Sequence, residues 1–150
     1  MTPKHNVITA FARGLMKQPE LLAVSCTPRR LTMTTTKGDY SRLVGKGGAH
    51  IRAMERLGDE YDITVILADA VENVAPIAAT LKEPEDVLAD AVRILRPTAK
   101  IDSKKNKERG VLEVTVDARP ALSDTARAAI DTLTHSIART ALLRMEVEWR

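Results

Sequence analysis

Apolar positions along this chain switch between two spacings, and each switch marks a new element. Val7, Phe11 and Leu15 recur at helical intervals behind Thr2-Pro3, a capping residue followed by a proline suited to a first turn. A helix is therefore predicted from about residue 3, with Pro19 helping to end it. Leu21 to Thr27 and Arg30 to Thr36 are β-prone runs rich in Leu, Val, Met and Thr. Separated by Pro28-Arg29, they predict a hairpin, with Lys37-Gly38-Asp39 as the turn that follows. Helical spacing returns from Tyr40 to Leu57, broken at Gly45-Lys46-Gly47-Gly48 and at once resumed. There Ile51, Met54 and Leu57 share a face, Gly58 punctuates, and Ile63 to Leu67 is a short apolar strand. The predicted order is helix, strand, strand, helix, glycine turn, helix, strand.

The pattern then runs through a second, similar course. Ala68 to Pro84 is Ala-rich with two prolines and reads either as a linker or as a short helix from Val74 to Leu81. Glu85 to Leu95 is helical, with Val87, Leu88, Ala91, Val92 and Leu95 apolar. Thr98 to Asp102 and Val111 to Asp117 are strands joined by a Lys-rich loop from Ser103 to Gly110, and Pro97 makes the first of them weak or an edge. From Leu122 to Leu142 a long helix capped by Ser123 places Ala126, Ile130, Leu133, Ile137 and Ala141 on one face. Leu143 to Arg150 alternates apolar and polar, as a half-buried strand does. Laid over the first half at an offset of about 81 residues, the order repeats, so that Arg30 to Thr36 falls on Val111 to Asp117. Gly45 to Gly48 falls on Ala126-Arg127-Ala128-Ala129. Alanine is the best helix former, and this substitution of three glycines predicts continuous helix where the first half has a turn. An unrelated α+β extension with the same element order is the alternative.

Three glycines and a lysine between two helical stretches are the layout of a phosphate-gripping turn. Glycine lets backbone come close to a ligand, and amides freed at the start of the next helix face an anion with the helix dipole behind them. A bare Gly-x-x-Gly is nearly worthless as a signal, and the order of elements around it carries the weight. On that order, and on Leu43-Val-Gly-Lys-Gly-Gly-Ala-His-Ile51, residues 3 to 68 resemble the KH domain family in its type II, prokaryotic arrangement. The resemblance implies an α+β fold, with a three-stranded sheet covered on one face by three helices. It implies a narrow groove for about four single-stranded nucleotides, their backbone clamped by the glycine turn. The expected organisation is a type II KH domain in residues 1–68, a linker in 69–84, and a degenerate KH-like or other α+β domain in 85–150.

Function follows from the same residues. The resemblance implies that Gly45, Lys46, Gly47 and Gly48 hold sugar-phosphate while Leu43, Val44 and Ile51 press on bases. Arg42 and Arg52, one helical turn to either side, either flank the RNA backbone or are ordinary exposed arginines. His50 is either a donor to a phosphate or base, or a solvent-facing helix residue. The Lys104, Lys105, Lys107 and Arg109 loop reads more readily as a solubilising tip than as a contact, and Trp149 as a strand anchor.

Composition narrows the alternatives. With 3% aromatic residues the chain lacks the stacking platforms of RRM or OB-type readers, whereas a KH groove is lined chiefly by aliphatic side chains. A net charge of +3 permits nucleic-acid binding without requiring it. His5, His50 and His135 lack metal-ligand spacing, no nucleophile elbow or carboxylate pair is present, and no cofactor or enzymatic activity is expected. Cys26, the single cysteine, precludes an internal disulfide and fits a reducing cytoplasm. The first residues lack the apolar core of a signal peptide. The expectation is a cytoplasmic protein that binds single-stranded RNA, similar to small bacterial KH proteins regarded as RNA chaperones or ribosome-associated factors. Single-stranded DNA is left open as a ligand. The alternative is an assembly module that uses the fold as a scaffold for a homodimer or another protein partner.

Overall fold

The computed structural model describes residues 1–150, an α+β chain of five α-helices and two three-stranded mixed sheets. Helix α1 (Pro3–Leu15) begins as its sequence dictates. The Thr2 hydroxyl accepts the His5 amide, Pro3 fills the first turn, and Val7, Ile8, Phe11, Ala12 and Leu15 are buried. Strands β1 (Ala23–Thr27) and β2 (Arg30–Thr34) form the predicted hairpin, with Val24 opposite Met33 and Cys26 opposite Leu31. Helix α2 (Lys37–Val44), the glycine turn and helix α3 (Ala49–Glu60) follow. Strand β3 (Thr64–Leu67) then pairs parallel to β2, Leu31 beside Val65.

In the second half, α4 (Pro84–Leu95) leads to β4 (Lys100–Asn106) and β5 (Val111–Asp117), which pair antiparallel. Helix α5 (Asp124–Thr140) returns the chain to β6 (Met145–Trp149), parallel to β5. Both sheets thus run edge, centre, edge in chain order, with an antiparallel pair first and a parallel pair second. The offset near 81 residues holds for Pro3 and Pro84 at the two helix starts and for Arg30 and Val111 at the two central strands. Helices α1, α3, α4 and α5 meet in the middle, and a single apolar cluster running from Val7 to Met145 joins the halves. Gly14 allows one of these crossings, because a Cβ there would lie 2.9 Å from the Ile137 side chain on α5. Tyr61 seals another. Its hydroxyl donates to the Ala91 carbonyl of α4 at 2.8 Å, and burial pushes that hydroxyl's pKa upward.

Three local expectations are corrected, and one open choice is decided. Lys37-Gly38-Asp39 is the first turn of α2, because Asp39 is buried and its carboxylate accepts the Lys17 and Gln18 amides at 2.7 and 3.0 Å. Gly58 lies inside α3, where a Cβ would come within 2.5 Å of the Ile63 carbonyl oxygen, so close packing requires it. Val74 to Leu81 forms no helix. It has no regular structure and is tied to the first half where the Ile77 amide donates to the Glu20 carbonyl. Ser103 to Asn106 belong to β4, so the loop shrinks to Lys107–Gly110; charged side chains on an edge strand look like loop in sequence.

Candidate functional site

The glycine turn is held by its own backbone and opened by its glycines. Gly45 ends α2 at φ 77°, ψ 168°, a conformation open essentially to glycine alone, and its amide donates to the Ser41 carbonyl at 2.8 Å. Gly47 (φ 62°) and Gly48 (φ 78°) are left-handed, and the Gly48 amide closes the turn onto the Gly45 carbonyl at 3.0 Å. The amides of Lys46 and Gly47 take part in none of the cap or loop hydrogen bonds that close the turn. A helical residue followed by left-handed ones turns successive amides into one concavity, the backbone form that receives anions, and here it opens α3. Lys46 and Gly47 are exposed, and a Cβ on Gly47 would meet no atom within 4 Å. The mouth of the turn is clear.

The two flanking arginines divide. A Cβ on Gly48 would sit 3.1 Å from a terminal nitrogen of Arg52, which places that guanidinium over the turn. Arg42, exposed on the last turn of α2, reaches back to within 3.8 Å of the buried Asp39 carboxylate on its first turn. The aliphatic set divides. Val44 and Ile51 are half-buried and keep a surface, whereas Leu43 is fully buried in the core and is removed from the set that presses on bases. On α2 its position faces inward because the apolar stripe of this short helix is a single residue wide.

His50 takes a different place from either expected one. Its Nδ1 lies 2.7 Å from the Arg42 carbonyl and its Nε2 lies 2.8 Å from the Ser136 hydroxyl on α5. A carbonyl only accepts, so Nδ1 carries the proton, and Nε2 of the neutral ring accepts from Ser136. Both nitrogens are occupied. His50 is a strut joining the end of α2, the start of α3 and the second half, and its ring fills the space where a Gly45 Cβ would come within 2.6 Å. Ser136 was not legible as a site residue, since 86 positions separate it from His50.

The charge around the turn is uncompensated. Residues 1–68 hold ten Lys and Arg against six Asp and Glu, while residues 69–150 hold thirteen against fourteen. Ion pairs follow the opposite distribution. Arg42–Asp39 is the only one in the first half, and six lie beyond residue 80, among them Lys82–Asp90 and Arg109–Glu146. Lys46, Arg52 and Arg56 on the turn and α3 pair with no carboxylate.

At the corresponding place in the second half there is no turn. Ala126 to Ala129 lie within α5, the Ser123 hydroxyl accepts the Ala126 amide at 3.1 Å, and Arg127 pairs with Asp124 one turn back. The Lys-rich tip is partly spent on pairing, as Arg109 engages both Glu113 and Glu146. Trp149, half-buried, donates its indole N–H to both Asp131 oxygens at 3.0 Å and anchors β6 on α5. No group of three or more His, Cys, Asp or Glu side chains is placed to hold a metal ion, and no helix is long and apolar enough to cross a membrane.

No family model matches the chain, and neither does any curated protein. A solved structure described as "Crystal structure of APE1850" aligns over 100% of both chains at 18% identity with a TM-score of 0.31, a similarity too low to carry an argument.

Proposed function

We propose that this chain is a non-enzymatic, cytoplasmic protein that binds single-stranded RNA through the Gly45–Gly48 turn. Residues 1–68 act as a type II KH domain, and residues 85–150 are a KH-like copy that has lost its clamp. The observation that carries the reading is the exposed turn at Lys46 and Gly47, held at positive φ by three glycines and clear at its mouth, at the start of α3 among cations without partners. Antiparallel then parallel pairing, with the glycine turn between α2 and α3, supports the KH assignment. In mechanism, the two amides and the Lys46 ammonium hold one stretch of sugar-phosphate, Arg52 and Arg42 attract its neighbours, and Val44 and Ile51 offer an aliphatic floor to the bases. Backbone contacts of this kind set position and leave sequence choice to the floor.

Titrating a labelled RNA tetranucleotide at several salt concentrations tests this. With two or three phosphates neutralised, log K falls with log salt at about −0.7 per contact, so roughly tenfold is lost between about 50 and 200 mM. A slope near zero rejects the phosphate clamp, and self-association insensitive to salt favours the assembly role instead.

A further inference from the structure

Helices α3 and α5 lie antiparallel. His50 at the start of α3 touches Ser136 near the end of α5, while Glu60 at the end of α3 accepts the Ser123 hydroxyl that caps α5. The glycine turn and the C-terminal end of α5 therefore occupy the same end of the molecule. At that end of α5 a hollow of about 340 Å³ opens between the helix and β6, and His135, Arg139 and Arg144 line it. Arg139 and Arg144 are exposed and make no ion pair. Glu146, the acid in the hollow, is already held by the Arg109 guanidinium, with contacts of 2.6 and 3.3 Å. The Asp131 carboxylate is bound by the Trp149 indole. His135 gives one ring nitrogen to the Asp131 carbonyl at 2.7 Å, which leaves the other available. The hollow is positive and its acids are spoken for.

Leu142 supplies a second, independent oddity at the same place. It is 96% exposed and sits at φ 57°, a left-handed conformation that a branched apolar residue adopts only at a cost. Its amide closes the end of α5 on the Arg139 carbonyl and the next amide closes on Ala138, a cap that glycine would make without strain. An apolar side chain held in solvent on strained backbone, beside two arginines without partners, has the makeup of a ligand contact.

We propose that a single strand gripped at the glycine turn continues over the end of α5, where Arg139, Arg144 and His135 take further phosphate and Leu142 covers a base. This rests on the RNA-binding reading above and names the second half's part in it: the lost clamp is replaced by a basic hollow at the opposite end of its helix. A tetranucleotide is used up in the groove at the turn, and a dodecanucleotide has nucleotides left for the hollow.

The test compares wild type, Arg139→Glu with Arg144→Glu, and Leu142→Gly on random-sequence RNA pools of 4 and 12 nucleotides, each with a melting curve. The double variant is expected to bind the 4-mer as wild type does and the 12-mer about tenfold more weakly, with a salt slope shallower by about 1.4. Leu142→Gly is expected to raise Tm by about 2 °C while weakening only the 12-mer, a pairing that a purely structural role cannot give. Wild-type preference for the 12-mer that survives in all variants overturns the second site and leaves the clamp standing. Loss of 4-mer binding in the folded double variant overturns the separation of the sites, and wild type that binds neither pool overturns both readings.

Discussion

Residues 3–67 and 84–149 trace the same order of elements with the same strand directions, yet they spend their residues on opposite ends. Where the first half breaks its helix with three glycines and leaves an exposed turn, the second runs helix through three alanines and pairs its arginine with Asp124. One of the ten Lys and Arg residues in the first half is in an ion pair, against five of the thirteen in the second. The lesson is that one backbone path tolerates either an open glycine turn or a plain helix. The choice is made by four residues and by the charges left without partners.

Gly58→Ala breaks the comparison hardest. Its Cβ would meet backbone, the Ile63 carbonyl oxygen at 2.5 Å, so a loss of about 3 kcal/mol is expected by denaturant unfolding. Arg139→Ala, at the offset position in the second half, stays within about 0.5 kcal/mol. Equal effects would mean that α3 and α5 are packed on their sheets alike, against the geometry. Next in size is Gly45→Ala. Strain at its φ of 77° and the His50 ring together cost about 2 kcal/mol and abolish RNA binding, whereas Ala126→Gly loses about 1 kcal/mol of helix preference and leaves binding alone. Full RNA affinity in Gly45→Ala would disconnect the turn's shape from its function.

These contrasts were partly visible in the residues. Thr2-Pro3 marks its helix, Pro28-Arg29 its hairpin and Ala126 to Ala129 their continuous helix, because each signal is local and agrees with its surroundings. What escaped depends on distant partners. Asp39 starts a helix by holding the Lys17 and Gln18 amides, Gly58 is required by a carbonyl five residues on, and His50 answers to Ser136 across the molecule. Propensity carries no trace of such contacts. The pattern of the motif puts Leu43 on the base-facing surface, while packing leaves it at 0% exposure.

Ser136→Ala sharpens the link between the halves. Losing the bond to His50 costs about 1 kcal/mol and is expected to weaken RNA binding about threefold by loosening the turn. Unchanged stability and affinity would show that the second half does not brace the clamp. The smallest effect belongs to Asp131. Burial raises its pKa above the ordinary carboxylate value, against the Trp149 hydrogen bond and the His135 and Arg127 charges, which lower it. The folded state thus holds the proton more readily than the unfolded one. The contribution of Asp131 to stability is greatest below its ordinary pKa and declines as pH rises through the raised one. Asp131→Asn keeps an acceptor for Trp149 and removes that decline. Unfolding from about pH 4 to 7 is expected to show wild type losing stability relative to the variant, and parallel curves would remove the burial argument.

The central claim is that the first half's turn binds phosphate and its alanine counterpart does not. Lys46→Asp with Gly47→Asp puts two negative charges where phosphate should sit, on exposed residues that bury no core surface. The measurement is RNA affinity and a melting curve on this double variant beside Arg127→Glu. The account predicts that binding collapses in the first with stability changed by about 1 kcal/mol at most, aspartate being tolerated moderately at positive φ, and is nearly unchanged in the second. A folded double variant that still binds RNA, or an equal loss in Arg127→Glu, would contradict it.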